Sequence, residues 1–256
     1  MPARLAALTI AALPFLLCAC AGRARLQPRA AEELARGWSY LAAGDSERAE
    51  VAFEHALEFH PDLAEALNGL GVVARTREDL AAARARFERA VRLAPAFAEG
   101  HANLGETLLC LGRPDAAETE LRAALRVDPD LADARQNLGR ALIARGLASA
   151  QARREHWPRA RRELLHLLES EPLRAAAHHD LAFMDYSEGR FERAEAGYRR
   201  ATELAPQSHE ALHGLCISLV RLGRCAEAAR ACERCLEVRP GASACRTSLR
   251  GARSCE

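Results

Sequence analysis

The 256-residue chain contains no lysine: all 36 of its basic residues are arginine, so its cationic surface consists of planar, fork-shaped donors only. Aromatic residues make up 5% and methionine occurs twice, which leaves alanine, leucine and valine to build the core. Against 35 acidic residues the formal charge is +1, so bulk electrostatics point to no nucleic-acid or acidic-membrane partner. Catalytic signatures are missing as well. There is no glycine-rich phosphate loop, no GxSxG elbow and no HExxH helix. These absences favour a binding protein over an enzyme, and no cofactor is expected.

Beyond the first twenty residues no stretch is long and apolar enough to cross a membrane. Those first residues, MPARLAALTIAALPFLLCAC, have a basic start at Arg4 and an apolar run from Leu5 to Leu17, the pattern of a secretory signal. Leu17-Cys18-Ala19-Cys20 resembles the bacterial lipoprotein box. That resemblance implies removal of residues 1–19, lipidation at Cys20 and a short tether over 20–29, at most about 30 Å when extended. Ala21 stands where aspartate tends to retain such proteins at the inner membrane, so the resemblance implies a lipid-anchored protein on the periplasmic face of the outer membrane.

What is abundant is self-similarity. Prolines at 61, 95, 129, 172, 206 and 240 are spaced 34, 34, 43, 34 and 34 residues apart. Twelve residues before each lies an alanine: Ala49, Ala83, Ala117, Ala160, Ala194 and Ala228. Eight residues before each, Phe53, Phe87, Leu121, Leu164, Tyr198 and Cys232 form a mostly large column; five before, Ala56, Ala90, Ala124, Leu167, Ala201 and Cys235 form a mostly small one. In the preceding helical pattern small residues recur at Gly37, Gly71, Gly105, Gly139, Ala182 and Cys216. Small residues let antiparallel helices approach, a large residue fills the gap, and proline ends the second helix.

These columns and their period resemble the tetratricopeptide repeat. The fold expected is all-α: a right-handed superhelix of six repeats at 30–63, 64–97, 98–131, 132–174, 175–208 and 209–242, closed by a capping helix over 243–256. The fourth repeat carries nine extra residues within IARGLASAQARREHWPR. They are expected to lengthen both helices around a loop, with Pro158 starting the second helix; a protruding contact point carrying Trp157 is the sharper alternative.

In such a stack the first helices line a concave groove. Carried onto this sequence, the repeat frame places there Leu34, Trp38 and Leu41 from the first repeat, and Asn68, Val72 and Arg75 from the second. Asn103, Glu106 and Leu109 follow from the third, Gln136 and Arg140 from the fourth. The fifth supplies His179, Phe183 and Tyr186, and the sixth His213, Ile217 and Val220. Apolar anchors interleaved with amides suit an amphipathic helix or extended peptide, and about a third of these side chains are expected to pack between neighbouring first helices instead. The lysine clamp that some of these repeats use for a terminal carboxylate has no counterpart here.

Five of the nine cysteines fall between 225 and 255. In an oxidising compartment such thiols pair. Facing residues of an antiparallel helix pair have a constant index sum, and Cys225 with Cys255 shares one sum with Cys235 and Cys245. Cys216 and Cys232 remain, roughly one turn out of ideal register. Cys110 has no evident mate. Redox chemistry at Cys232-x-x-Cys235 is disfavoured by its mid-helix position, and a metal site at His209 and His213 lacks fixed companion ligands, so no metal is expected.

A lipoprotein of this length with six repeats and a short tether resembles the secretin pilotins of type IV pilus systems. The resemblance implies a partner in the secretin subunits and a role in their insertion and ring assembly. A general periplasmic scaffold for envelope enzymes is the alternative, and a periplasmic zinc or redox protein a further one.

Overall fold

The computed structural model describes residues 27–254, and the signal segment, Cys20 and Cys255 lie outside them. Within that range the chain forms α-helices and no strand. They run as six antiparallel pairs: α1 (Pro28–Ala42) with α2 (Ser46–Phe59), α3 (Ala64–Thr76) with α4 (Leu80–Leu93), and α5 (Ala98–Cys110) with α6 (Pro114–Val127). Then come α7 (Ala132–Gly146) with α8 (Ala150–Ser170), α9 (Ala175–Ser187) with α10 (Phe191–Leu204), and α11 (His209–Arg221) with α12 (Cys225–Val238). A final helix, α13 (Ser243–Arg253), packs against both α11 and α12. None of these helices is long and apolar enough to cross a membrane.

Local chemistry sets the boundaries. Each period-defining proline follows directly on the residue that caps a second helix, where its missing N–H and fixed φ prevent continuation. Asp45 and Asp79 cap α2 and α4, their Oδ1 atoms accepting from the amides of Arg48 at 3.0 Å and Ala82 at 2.9 Å. The turns inside five of the pairs need one left-handed residue. It is Gly44, Gly112, Gly189 and Gly223 in four, with φ between 68° and 77°, but Glu78 with φ 62° in the second pair.

The alanine column is wholly buried, and the large column beside it fills the space between helices. Phe53 lies between Gly37 of its own pair and Gly69 of the next: a Cβ added at either glycine would come within 3.0 Å of the ring. Phe87 fits against Gly71, Leu121 against Gly105 and Leu164 against Gly139 in the same way. Tyr198 is packed against Gly214 of the following pair. One knob and one hole are thus reused along the stack.

The insertion lengthens both helices, α7 to 15 residues and α8 to 21, but departs from expectation at Pro158 and Trp157. Pro158 does not start α8 but lies inside it, eight residues after Ala150, and Trp157 does not protrude: it is 1% exposed. The extra residues extend α8 to 21, and its added turns fold back on α7. There the indole covers Gly146, Nε1 donates to the Ile143 carbonyl oxygen at 3.1 Å, and Arg153 stacks on the ring at 4.6 Å. Glu118 of α6, 5% exposed, anchors the same region through ion pairs with Arg122, Arg145 and Arg159. Burying a large indole outweighs leaving it in solvent, by about 2–3 kcal/mol for a side chain of that size.

At the far end, Cys216 of α11 is bonded to Cys232 of α12, with Cα atoms 5.4 Å apart, and Cys235 is bonded to Cys245 of α13 at 6.3 Å. The first pair is nearer to register than its sequence spacing suggested. Cys216 precedes Gly223 by seven residues and Cys232 follows it by nine, an offset of about half a turn. The pairing proposed for Cys225 involves Cys255, outside the described residues. Cys110, at the end of α5, is exposed with a free thiol.

Candidate functional site

The first helices present their inner faces to one trough, which holds two principal cavities. A cavity of about 680 Å³ in the amino-terminal half is lined by Trp38, Asn68, Val72, Arg75, Asn103, Glu106, Gln136 and Arg140, eight of the residues the repeat frame places in the groove. A second, of about 530 Å³, brings together His179, Phe183, His213 and Ile217 near α13. The remaining five expected residues belong to the packing between helices. Leu34 and Leu41 lie against the Phe53 cluster, Leu109 against the central core, and Tyr186 and Val220 against the Tyr198 cluster.

The walls of the first cavity are tied together from repeat to repeat. Asn103 Nδ2 donates to Asn68 Oδ1 at 2.9 Å, and Arg75 pairs with Glu106, so α3 and α5 are linked twice. Asp180 of α9, 7% exposed, accepts from Gln136 Nε2 and, at 3.1 Å, from Arg140 Nε of α7. Arg174 pairs with Asp133 and with Glu171. A buried carboxylate costs several kcal/mol unless paired, and here two donors from a neighbouring repeat meet it. The polar lining is therefore largely preorganised. Trp38, 38% exposed and packed edge-on against Phe53 at 5.2 Å, is with Phe97 a large aromatic side chain on its wall.

The second cavity has a different character. Phe183, Ile217 and Tyr198 form an apolar floor, and burial pushes the Tyr198 phenol pKa well up. His209 Nε2 accepts from Arg239 at 2.8 Å. His213 bonds Ser248 Oγ of α13 at 3.0 Å, and burial, with a lesser contribution from His209, lowers its pKa below the usual 6.5. Among the described residues no group of three His, Cys, Asp or Glu side chains is arranged to hold a metal ion. Cys232 and Cys235 are bonded to different partners, Cys216 and Cys245, not to each other.

Several cavity residues escaped the repeat frame: Glu65, Glu99, Asp133, Asn137 and Arg174. The acids carry a readable signal, since Glu65, Glu99 and Asp133 each stand second in a first helix, 34 residues apart.

Comparison with known proteins agrees with this architecture. Tetratricopeptide-repeat family models match residues 34–98 and 74–141. A search of curated proteins finds no sequence match. Among solved structures, PilF of Pseudomonas aeruginosa superposes with a TM-score of 0.72 at 19% identity, over 89% of this chain and 98% of PilF. PilW, described as a widely conserved type IV pilus biogenesis factor, superposes with a TM-score of 0.73 at 19% identity, over 87% of this chain and 99% of PilW. Cut9, solved in complex with Hcn1, gives 0.75 at 16% identity over 88% of this chain and 43% of its own. The chain carries tetratricopeptide repeats over residues 34–141 and has the superhelical fold of PilF and PilW.

Proposed function

We propose that the protein is a non-enzymatic, lipid-anchored factor of the outer membrane that holds secretin subunits in its concave trough and promotes their assembly into multimers for type IV pilus biogenesis. The observation that carries this reading is the extent of the likeness to PilF and PilW, which takes in nearly all of both proteins and most of this chain. Cut9, by contrast, is matched over 43% of its own chain. The lipoprotein-like Leu17-Cys18-Ala19-Cys20 gives the anchor, and the preorganised trough, with Trp38 on its wall, gives a surface for a protein segment.

The test is the secretin itself. Deleting the gene, or replacing Cys20→Ser to prevent lipidation, should leave secretin subunits as monomers in membrane fractions run on denaturing gels. Trp38→Ala should reduce multimers without changing the amount of this protein. Normal multimers in the deletion strain would sink the proposal. If peptidoglycan enzymes rather than secretin co-purify with the protein, the general scaffold reading replaces it.

A further inference from the structure

Taking the trough as the partner-binding surface, we propose that the segment seated in its first cavity is basic. Among the charged groups on that cavity's walls, those without a partner are carboxylates. All three guanidinium groups are engaged: Arg75 with Glu106, Arg140 with Asp180, and Arg174 with Asp133 and Glu171. Glu65 and Glu99 line the same cavity, both exposed, and neither has a hydrogen bond or ion pair within the described chain. They occupy equivalent positions in successive repeats, in the first turns of α3 and α5, where the helix dipole favours a negative charge and holds it at the groove edge.

A second observation comes from the cavity wall. Gln136 is 3% exposed, and its amide orientation is fixed because Nε2 must face the Asp180 carboxylate, which can only accept. That leaves Oε1 buried with no hydrogen-bond partner. Buried acceptors are ordinarily satisfied, so this one marks a place where a donor is missing. Two uncompensated carboxylates and one orphan carbonyl call for the same thing. The matching ligand is an extended segment with arginine or lysine side chains reaching Glu65 and Glu99, and an N–H donor near Gln136. An acidic segment would meet unpaired like charge, and each guanidinium in this cavity already faces a carboxylate.

Random dodecapeptides displayed on phage and selected on the purified full chain provide the test. Selected sequences should be enriched in arginine and lysine over the unselected library. A selected peptide should bind Glu65→Gln/Glu99→Gln about five- to tenfold more weakly, the loss expected for two partly exposed ion pairs. Both substitutions are at exposed positions, and an unchanged thermal midpoint verifies folding. On the unaltered chain, raising the salt from low to high concentration should weaken the same peptide by a comparable factor. Selection of neutral or acidic sequences, recovery of no binding peptide, or salt-independent binding with equal affinity for the double variant would overturn the proposal. No secretin enters this experiment, so its failure leaves the assembly role to the deletion test, and loss of that role leaves the charge preference standing.

Discussion

Cys232 is bonded to Cys216 at the site where, four repeats earlier, the Phe87 ring rests on Gly71. The last repeat keeps the geometry of knob and hole and replaces its van der Waals contact by a covalent bond. Removing the bond with Cys216→Ala/Cys232→Ala should lower stability by about 3 kcal/mol, the expectation for a closed loop with this separation of 16 residues. Installing the contact of the second repeat with Cys216→Gly/Cys232→Phe should recover part of that loss, while Cys232→Phe alone should not. Urea midpoints of the three variants check the order. Equal midpoints for the two double variants would show that the site is not a knob and hole.

Trp157 should behave as a core residue. Trp157→Ala opens a large void beside Gly146 and is expected to destabilise by about 3–5 kcal/mol. A protruding contact residue would instead tolerate the change within about 0.5 kcal/mol, so thermal unfolding separates the two.

Glu78 occupies a left-handed turn position filled by glycine in four other repeats. Replacing Glu78→Gly removes a steric cost of about 1–2 kcal/mol but adds unfolded-chain entropy, leaving a gain of about 0.5–1 kcal/mol. The measurable result is a rise in the thermal midpoint, whereas Gly112→Ala at the equivalent turn should lower it.

The lowered pKa of His213 sets the sign of one pH effect. The unfolded histidine takes up a proton as pH falls through 6.5, while burial and then His209 keep the folded one neutral to a lower pH. Stability from this group is therefore complete above 6.5 and declines as pH drops below it. Urea titrations at pH 7.5 and 5.5 should show a larger decline for the natural chain than for His213→Gln.

Much of this was legible in the sequence because the repeat couples local and non-local information. Ala49 and its five counterparts lie at helix crossings, and each crossing recurs with the same period, so one column reports both position and packing. Helix ends were legible for a similar reason, since proline acts within a turn of itself. Pro158 misled because its context, not its own preference, decides whether a helix continues: the burial of Trp157 next to it holds the helix through the proline. The groove was half legible. Positions followed from the frame, but Leu34, Leu41, Leu109, Tyr186 and Val220 turn towards neighbouring helices because their apolar bulk is better covered there. Pairings such as Gln136 with Asp180 cross 44 residues and depend on rotamers that no column records.

Glu118 gives the stack something a perfect repeat lacks, which is an address. Identical hairpins dock as well one place out of line as in line, a familiar hazard in the assembly of repetitive chains. Only the hairpin of α7 and the lengthened α8 offers Arg145 and Arg159 to α6. An α6 paired with any other neighbour would leave this carboxylate with Arg122 of its own helix alone. The irregular fourth repeat thus works as a keyway, fixing the order in which otherwise interchangeable parts are threaded together.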